Sequence, residues 1–160
     1  MWRTLTRKLK SFTRLPLFTQ MWLTPIWLIL GISKALIFTI SFKRLAGHLG
    51  SVADVLPWIP LIDTSQQAQA LKICRTIRLA ARYTPWDSNC FPQAVAARLL
   101  LGLYGIPYAI YFGLMRDTQT LEMKAHAWVS AGRVTLTGGA SSFEDYVVVG
   151  MFLAPALCPK

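Results

Sequence analysis

The sequence predicts an α+β fold in which hydrophobic N-terminal helices precede a helical segment and an antiparallel sheet. Apolar residues recur at helical spacing between residues 70 and 81, and turn signals bound a second helix at residues 90–104. Four segments rich in β-branched and aromatic residues follow, separated by polar turns or glycine. Because the strands follow the helices rather than alternating with them, we expect an α+β domain.

The chain divides into two regions by composition. Residues 1–60 hold most of the hydrophobic excess of a chain that is 54% hydrophobic and only 15% charged. This predicts a helical, basic N-terminal region over 1–60 and a compact domain over 61–160. Between them, residues 47–64 contain two glycines and two prolines and predict a linker.

The first region contains an uncharged stretch at residues 15–33. Its length meets the requirement for a membrane-spanning helix, roughly 18 apolar residues. Pro16 and Pro25 interrupt it, and if the helix starts after Pro25, Lys34 falls near its middle, where a charge is costly. Two interpretations therefore stay open for residues 15–40: helices that pack on the protein or on a partner, and a membrane span.

Charge is distributed unevenly along the chain. The formal net charge is +10, and eight of the 17 basic residues precede Asp54, the first acidic residue. A basic segment of this kind suits a membrane surface or an acidic peptide. The sequence has no zinc-finger spacing and no RNA-binding signature, so we expect no nucleic-acid partner.

The second region begins with two predicted helices. Asp63, Thr64 or Ser65 can cap the first helix, and Pro85 ends it. Ser88 or Asn89 can cap the second, which starts near residue 90 and stops before residue 105. Strands are then predicted at 106–114, 126–129, 133–137 and 146–152.

The three cysteines, Cys74, Cys90 and Cys158, are odd in number and irregularly spaced. With no cleavable signal peptide evident, we expect a reduced, cytoplasmic protein with free thiols. Cys74 lies in an apolar helical stripe and Cys158 near the end of the chain, and both suit small buried hydrophobes. No ligand set of familiar spacing is present, so we expect neither a metal nor a cofactor.

Cys90 has a different context, because it is predicted at the start of a helix. The N-terminus of a helix stabilises a thiolate. His126 is predicted on a strand that can pack beside this helix, take the thiol proton and return it to a leaving amine. His126 and Trp128 alternate to the same strand face and are expected to line one cleft. An isolated cysteine or histidine is more often structural, so this pairing is a hypothesis.

Two motifs and their spacing connect these residues to a family. Residues 86–94 read WDSNCFPQA, residues 105–107 read GIP, and residues 125–129 read AHAWV. Together they resemble the transglutaminase-like leader peptidases of lasso-peptide biosynthesis, the microcin-processing B-protein family. The resemblance covers roughly residues 70–152 and implies a papain/transglutaminase-like cysteine peptidase core, with Cys90 and His126 as its catalytic pair.

The resemblance also implies a function and partners. Such proteins cut the leader from a ribosomally made precursor peptide. An asparagine-synthetase-like cyclase then closes the ring, and a small winged-helix-like domain recognises the leader. Because residues 1–60 lack the alternating strand pattern of that domain, we expect a separate leader-recognition protein.

One feature departs from the family. Relatives often carry an aspartate after the histidine strand, whereas residues 134–139 read VTLTGG. A backbone carbonyl, Thr137 or Asp145 are the replacements we consider, with Asp87 and Asp117 as further options. The backbone N–H of Cys90 is the expected oxyanion donor, and Gln93 or Trp86 is a candidate second donor.

Two other functions stay open. The chain can be a non-catalytic subunit that holds the precursor against the cyclase. It can also be a small membrane-associated protein in which the cysteine and the histidine are incidental.

Overall fold

The structure, a computed structural model, describes residues 12–39, 51–53, 59–119, 121–139 and 141–157. At its centre is a five-stranded sheet in the order β1-β5-β2-β3-β4, in which every neighbouring pair is antiparallel. Its strands are β1 (Ser51–Ala53), β2 (Ala109–Arg116), β3 (Met123–Ala131), β4 (Val134–Thr137) and β5 (Val147–Leu153). The four strands predicted from the sequence correspond to β2 through β5, with ends shifted by a few residues.

Three long helices accompany the sheet in the described part of the chain. They are α1 (Leu17–Thr39), α2 (Thr64–Arg82) and α3 (Cys90–Leu103), and α1 packs against both α2 and α3. A short helix, α4 (Ser142–Asp145), leads into β5, and a 3₁₀ turn (Pro155–Leu157) follows it. This arrangement confirms the mixed helical and antiparallel class that the sequence predicts.

Helix α2 begins with a complete capping box. The Asp63 carboxylate accepts the Gln66 backbone N–H at 2.8 Å, and the Gln66 side-chain oxygen accepts the Asp63 N–H at 3.1 Å. These bonds satisfy donors that the first turn of a helix leaves free, and they confirm the predicted start. A hydrogen bond from Ser65 stabilises the carboxylate and lowers the pKa of Asp63.

Helix α1 is a single element of 23 residues with Pro25 inside it. The alternative helix start after Pro25 is therefore wrong. Proline lacks the N–H that a helix interior needs, so packing has to offset its cost, and Ile26 and Leu30, both fully buried, provide that packing. Within the described ranges, no helix is long and apolar enough to cross a membrane.

The sheet has two distinct faces. The helix face packs against α2 and α3 and contributes Ile110, Ala127, Val129 and Phe152 to the main core. The opposite face, which we call the aromatic face, carries a second cluster made of Ala109, Tyr111, Trp128, Met151 and Leu153. Consecutive residues of each strand alternate between the two clusters, as the pleat requires.

A bulge in β5 changes this alternation next to the aromatic face. Phe112 pairs with Gly150 whereas Gly113 pairs with Val148, so Val149 has no partner in the ladder. Because of this extra residue, the side chains that precede it in β5 point to the opposite face from the one that regular alternation would give. As a result, Val148 and Tyr146 pack against the aromatic-face cluster.

The predicted linker over 47–64 is wrong at residues 51–53, which form β1. This strand pairs Val52 with Phe152 and Ser51 with Leu153 at the edge of β5. A short segment can pair with the free N–H and C=O groups of an open strand edge. The glycines and prolines used to predict a linker lie on either side of this segment rather than within it. Residues 47–50 and 54–58 lie outside the described residues, and the boundary at residue 60 stays a prediction.

Candidate active site

Cys90 is the first residue of α3, as predicted. The residue before it, Asn89, has extended backbone angles and occupies the cap position, but its side chain makes no capping bond. Instead the Asn89 amide oxygen accepts a hydrogen bond from Lys34 Nζ at 3.3 Å. Cys90 is half-buried and packs against the helix-face core. Its thiol therefore lies at the N-terminal end of a helix, where the first backbone N–H groups have no partner within the helix.

The loop that leads into α3 is held by a small hydrogen-bond network. Thr84 Oγ1 lies 2.8 Å from the Ala81 carbonyl oxygen, 2.9 Å from that of Trp86 and 2.9 Å from Ser88 Oγ. Gln93 Nε2 donates to the Ser88 carbonyl oxygen at 2.6 Å. These bonds tie the loop to the end of α2 and to the first turn of α3, so the position of Cys90 is fixed from both sides.

His126 is held by the segment that follows β4. Its Nε2 atom lies 2.9 Å from the Gly138 carbonyl oxygen and 3.3 Å from Ser142 Oγ. A carbonyl oxygen can only accept, so Nε2 carries the proton and Nδ1 is the basic nitrogen of the neutral ring. The Ser142 hydroxyl donates to the Gly139 carbonyl oxygen at 2.9 Å. Its oxygen is therefore a second acceptor for Nε2–H.

Aromatic rings fix the plane of the imidazole. The His126 ring stacks on Tyr146, with centroids 4.7 Å apart and an interplanar angle of 28°, and on Trp128 at 5.8 Å. Trp128 is fully buried and also contacts Tyr111 and Phe143. The prediction that His126 and Trp128 share one strand face is confirmed.

Cys90 and His126 approach the sheet from different sides. Cys90 belongs to the helix-face core, whereas His126 contacts the rings of the aromatic face. Both residues are in the described part of the chain, and no hydrogen bond joins the thiol to the imidazole there. An indirect chain of contacts nevertheless connects the helix that carries Cys90 to the strand that carries His126. Phe91 contacts Phe112 at 6.2 Å between centroids, and Phe112 is the register partner of Ala127, next to His126.

Of the candidates for a third catalytic member, a backbone carbonyl is the one that contacts His126. Among the described residues no carboxylate is hydrogen bonded to His126, and the Gly138 carbonyl takes that place, one of the options considered. Asp145 and Asp87 are exposed, and Asp117 forms an ion pair with Lys124. Thr137 is buried, and its hydroxyl has no partner within the described residues.

Neither candidate second oxyanion donor is directed towards a substrate in this structure. Gln93 uses its amide on the Ser88 carbonyl. The Trp86 indole N–H is shielded from solvent and has no hydrogen-bond partner among the described residues, so it is not presented to a substrate carbonyl. The backbone N–H of Cys90 stays the predicted donor.

Two neighbours of His126 were not identified from the sequence: Ser142 and Tyr146. Nothing in their local pattern predicts a role, because both reach the imidazole through the turn at Gly138 and Gly139, whose φ angles are +91° and +103°. Such angles favour glycine. The two consecutive glycines are the feature of the sequence that indicates a turn here.

Cys74 does not contribute to this site. Cys74 is buried, and its thiol donates to the Leu136 carbonyl oxygen at 2.8 Å. Burial raises the pKa of Cys74, which makes it a poor nucleophile. Cys158 and His48 lie outside the described residues. Within the described residues, no group of three or more histidine, cysteine or acidic side chains could hold a metal ion.

Comparison with known proteins gives one result. A family model described as the transglutaminase-like superfamily matches residues 36–151, which includes α2, α3 and most of the sheet. Neither the curated proteins nor the solved structures gave a match. Since the family model covers well over half of the 160 residues and includes both Cys90 and His126, the chain belongs to the transglutaminase-like superfamily.

Proposed function

We propose that this protein is a cysteine peptidase that removes the leader from a ribosomally made precursor peptide in lasso-peptide maturation. The observation that carries the proposal is the position of Cys90, the first residue of a helix packed against the strand that bears His126. The superfamily includes cysteine peptidases, and the motifs around both residues resemble those of the leader peptidases. The protein would act in the cytoplasm.

The proposed reaction follows from the chemistry of the pair. His126 Nδ1 takes the Cys90 proton, and the thiolate attacks the carbonyl carbon of the scissile amide. The C–N bond then breaks, and the imidazolium gives its proton to the leaving amine. Water, deprotonated by the same nitrogen, hydrolyses the thioester and restores the thiol. The Cys90 backbone N–H would stabilise the oxyanion formed in each attack.

For this chemistry the imidazole has to reach the helix face. In the described residues β4 pairs with Val129–Ala131, so His126 lies beyond the paired part of that edge of β3. The ring is held there through Nε2 and its stacking partners. The proposal therefore requires the imidazole to change position when the substrate binds. Catalytic hydrogen bonds often form only in the substrate complex.

The proposal names three partners. The precursor peptide is the substrate, a separate winged-helix-like protein delivers its leader, and an asparagine-synthetase-like cyclase uses the new amino terminus. Apolar side chains exposed on α1, among them Leu17 and Met21, support an assembly, because partner surfaces commonly cover such side chains. Contact of the basic N-terminal third with a membrane surface is the alternative use of this region.

Mass spectrometry of the precursor peptide tests the proposal. The peptide is incubated with the leader-recognition protein and either wild type, Cys90→Ala, His126→Ala or Cys74→Ala. We expect a single cut with wild type and Cys74→Ala, and none with the other two. Cleavage that survives in Cys90→Ala would contradict the proposal, whatever the behaviour of the His126 variant.

A second function is favoured by one observation, the lack of a hydrogen bond between Cys90 and His126. A chain that only docks the precursor on the cyclase does not need this bond. In that case Cys90→Ala leaves complex formation and maturation intact, whereas under the first proposal complexes form but no leader is removed.

A further inference from the structure

An apolar groove runs between α1 and the loop that precedes α3. It has a volume of about 500 Å³ and is lined by Trp27, Leu28, Gly31, Ile32, Ala35 and Trp86. The one charged side chain that lines it is Lys34. Volumes of this size and apolar linings are typical of sites that bind small ligands or single side chains.

The walls of the groove are held in place before any ligand binds. The rings of Trp27 and Trp86 lie 4.8 Å apart between centroids, and the Trp27 indole N–H donates to the Tyr83 carbonyl oxygen at 3.2 Å. A Cβ at Gly31 would lie 2.8 Å from Trp86 Cζ2, so the ring reaches α1 only because this residue is glycine. Preorganised walls lower the entropy cost of binding.

Two aliphatic side chains at this groove are exposed to an unusual degree. Leu28 is 51% exposed and Ile32 is 59% exposed, on the side of α1 away from the buried Ile26 and Leu30. Covering such side chains contributes roughly 25 cal/mol per Å² of apolar area buried. An apolar occupant therefore gains free energy here.

The groove is connected to the candidate nucleophile through the loop. Trp86 forms one wall, and Cys90 follows four residues later, after the segment that Thr84 and Gln93 hold rigid. Lys34, at the groove, donates to Asn89, the residue before Cys90. The groove therefore adjoins the loop that leads into Cys90, within the reach of a peptide bound at this thiol.

We propose that this groove binds a bulky apolar side chain of the peptide substrate, close to the scissile bond. The inference rests on the proposed function and adds a substrate class to it. A single side chain is the fitting occupant because the walls are apolar and the groove is small. The groove presents no acidic side chain among its lining residues, so a lysine or arginine side chain finds no partner there.

Two matched electrophiles test this binding without requiring turnover. The probes are N-chloroacetyl-L-phenylalaninamide and N-chloroacetylglycinamide. The Cys90 sulfur attacks the chloromethyl carbon, so a C–S bond forms, the C–Cl bond breaks, chloride leaves and the thiol proton goes to water. Peptide mass spectrometry of the full chain measures the rate of modification at Cys90, and the buried Cys74 serves as an internal reference.

We expect the phenylalanine probe to modify Cys90 about tenfold faster than the glycine probe at equal, low concentration. Ile32→Asp places a charge in the groove at an exposed position and should remove this advantage, measured as the ratio of the two rates in the same variant. Met21→Asp is the matched control, because Met21 is 60% exposed on the same helix but does not line the groove. It should keep the advantage.

Equal rates for the two probes in wild type would overturn the inference, as would an advantage that survives Ile32→Asp. The outcome is separate from that of the proposed function. If the phenylalanine probe reacts faster but the protein never cleaves the precursor, the proposed binding in the groove stands and the proposed peptidase activity is rejected. If the protein cleaves the precursor but the two probes react at equal rates, the proposed peptidase activity stands and the proposed binding in the groove is rejected.

Discussion

The imidazole Nε2 of His126 donates to the main-chain carbonyl of Gly138 at 2.9 Å, and no carboxylate among the described residues accepts a hydrogen bond from it. A neutral carbonyl fixes the tautomer as a carboxylate does, because both accept the Nε2 proton. It stabilises a positive ring less, since it carries no net charge. The position of the basic nitrogen is thus set by the backbone of a glycine turn rather than by a side chain.

Ser142 should act as a positioning residue for His126. Its hydroxyl is buried and accepts from Nε2 at 3.3 Å while it donates to the Gly139 carbonyl. In Ser142→Ala we expect kcat to fall by roughly tenfold, the equivalent of about one hydrogen bond, with little change in KM. The imidazole ¹⁵N spectrum should also show a smaller population with the proton on Nε2.

Ser141→Ala is the control for this prediction, because Ser141 is exposed and makes no capping bond. Loss of stability with an unchanged ¹⁵N spectrum in Ser142→Ala would assign the residue a structural role only.

Gly138 should tolerate a side chain less well than its neighbour Gly139. Both have positive φ angles, so alanine at either position costs about 1–3 kcal/mol in backbone strain. At Gly138 the new Cβ would also lie 2.5 Å from Trp128 Cβ and 3.0 Å from His126 Nε2, whereas at Gly139 nothing lies within 4 Å. Urea unfolding should therefore show a clearly larger loss in Gly138→Ala, together with loss of activity. Equal losses would show that strain alone decides.

Much of the fold could be predicted because its signals are local. The Asp63 cap and the start of α3 at Cys90 follow from residue types within one helical turn. The alternation of His126 and Trp128 follows from the pleat. The pleat determines only which side chains of a strand share a face. Which of the two faces packs against the helices depends on tertiary contacts. The pairing of His126 with Cys90 therefore stays a prediction.

The remaining differences also come from long-range contacts. β1 forms because the edge of β5 is available to residues 51–53, about a hundred positions earlier in the chain. The bulge that leaves Val149 unpaired brings Tyr146 to His126, and no residue pattern in β5 indicates it. α1 is apolar on its exposed as well as its buried side, so hydropathy could not show which side is buried.

A comparison of two helical glycines tests the close contact between α1 and Trp86. Alanine at Gly102, in α3, meets nothing within 4 Å and should stabilise the protein by roughly 0.5–1 kcal/mol through helix propensity. Alanine at Gly31 meets Trp86 Cζ2 at 2.8 Å and should lose this gain as the ring is displaced. Thermal unfolding measures both variants, and tryptophan fluorescence should change in Gly31→Ala only. Stabilisation by both substitutions would contradict the contact.

The buried thiol of Cys74 should make stability depend on pH in the alkaline range. Burial raises its pKa in the folded protein, although the nearby Arg78 and Arg75 oppose this shift. An unfolded cysteine ionises near pH 8.5, so above this pH the unfolded chain releases a proton that the folded chain retains. The contribution of Cys74 to stability is thus complete below about pH 8 and declines as the pH rises towards the folded pKa. The unfolding free energy of wild type minus that of Cys74→Ala, measured in urea with a reductant, should be smaller at pH 9.5 than at pH 7. An equal difference at both pH values would show that the thiol ionises alike in the two states.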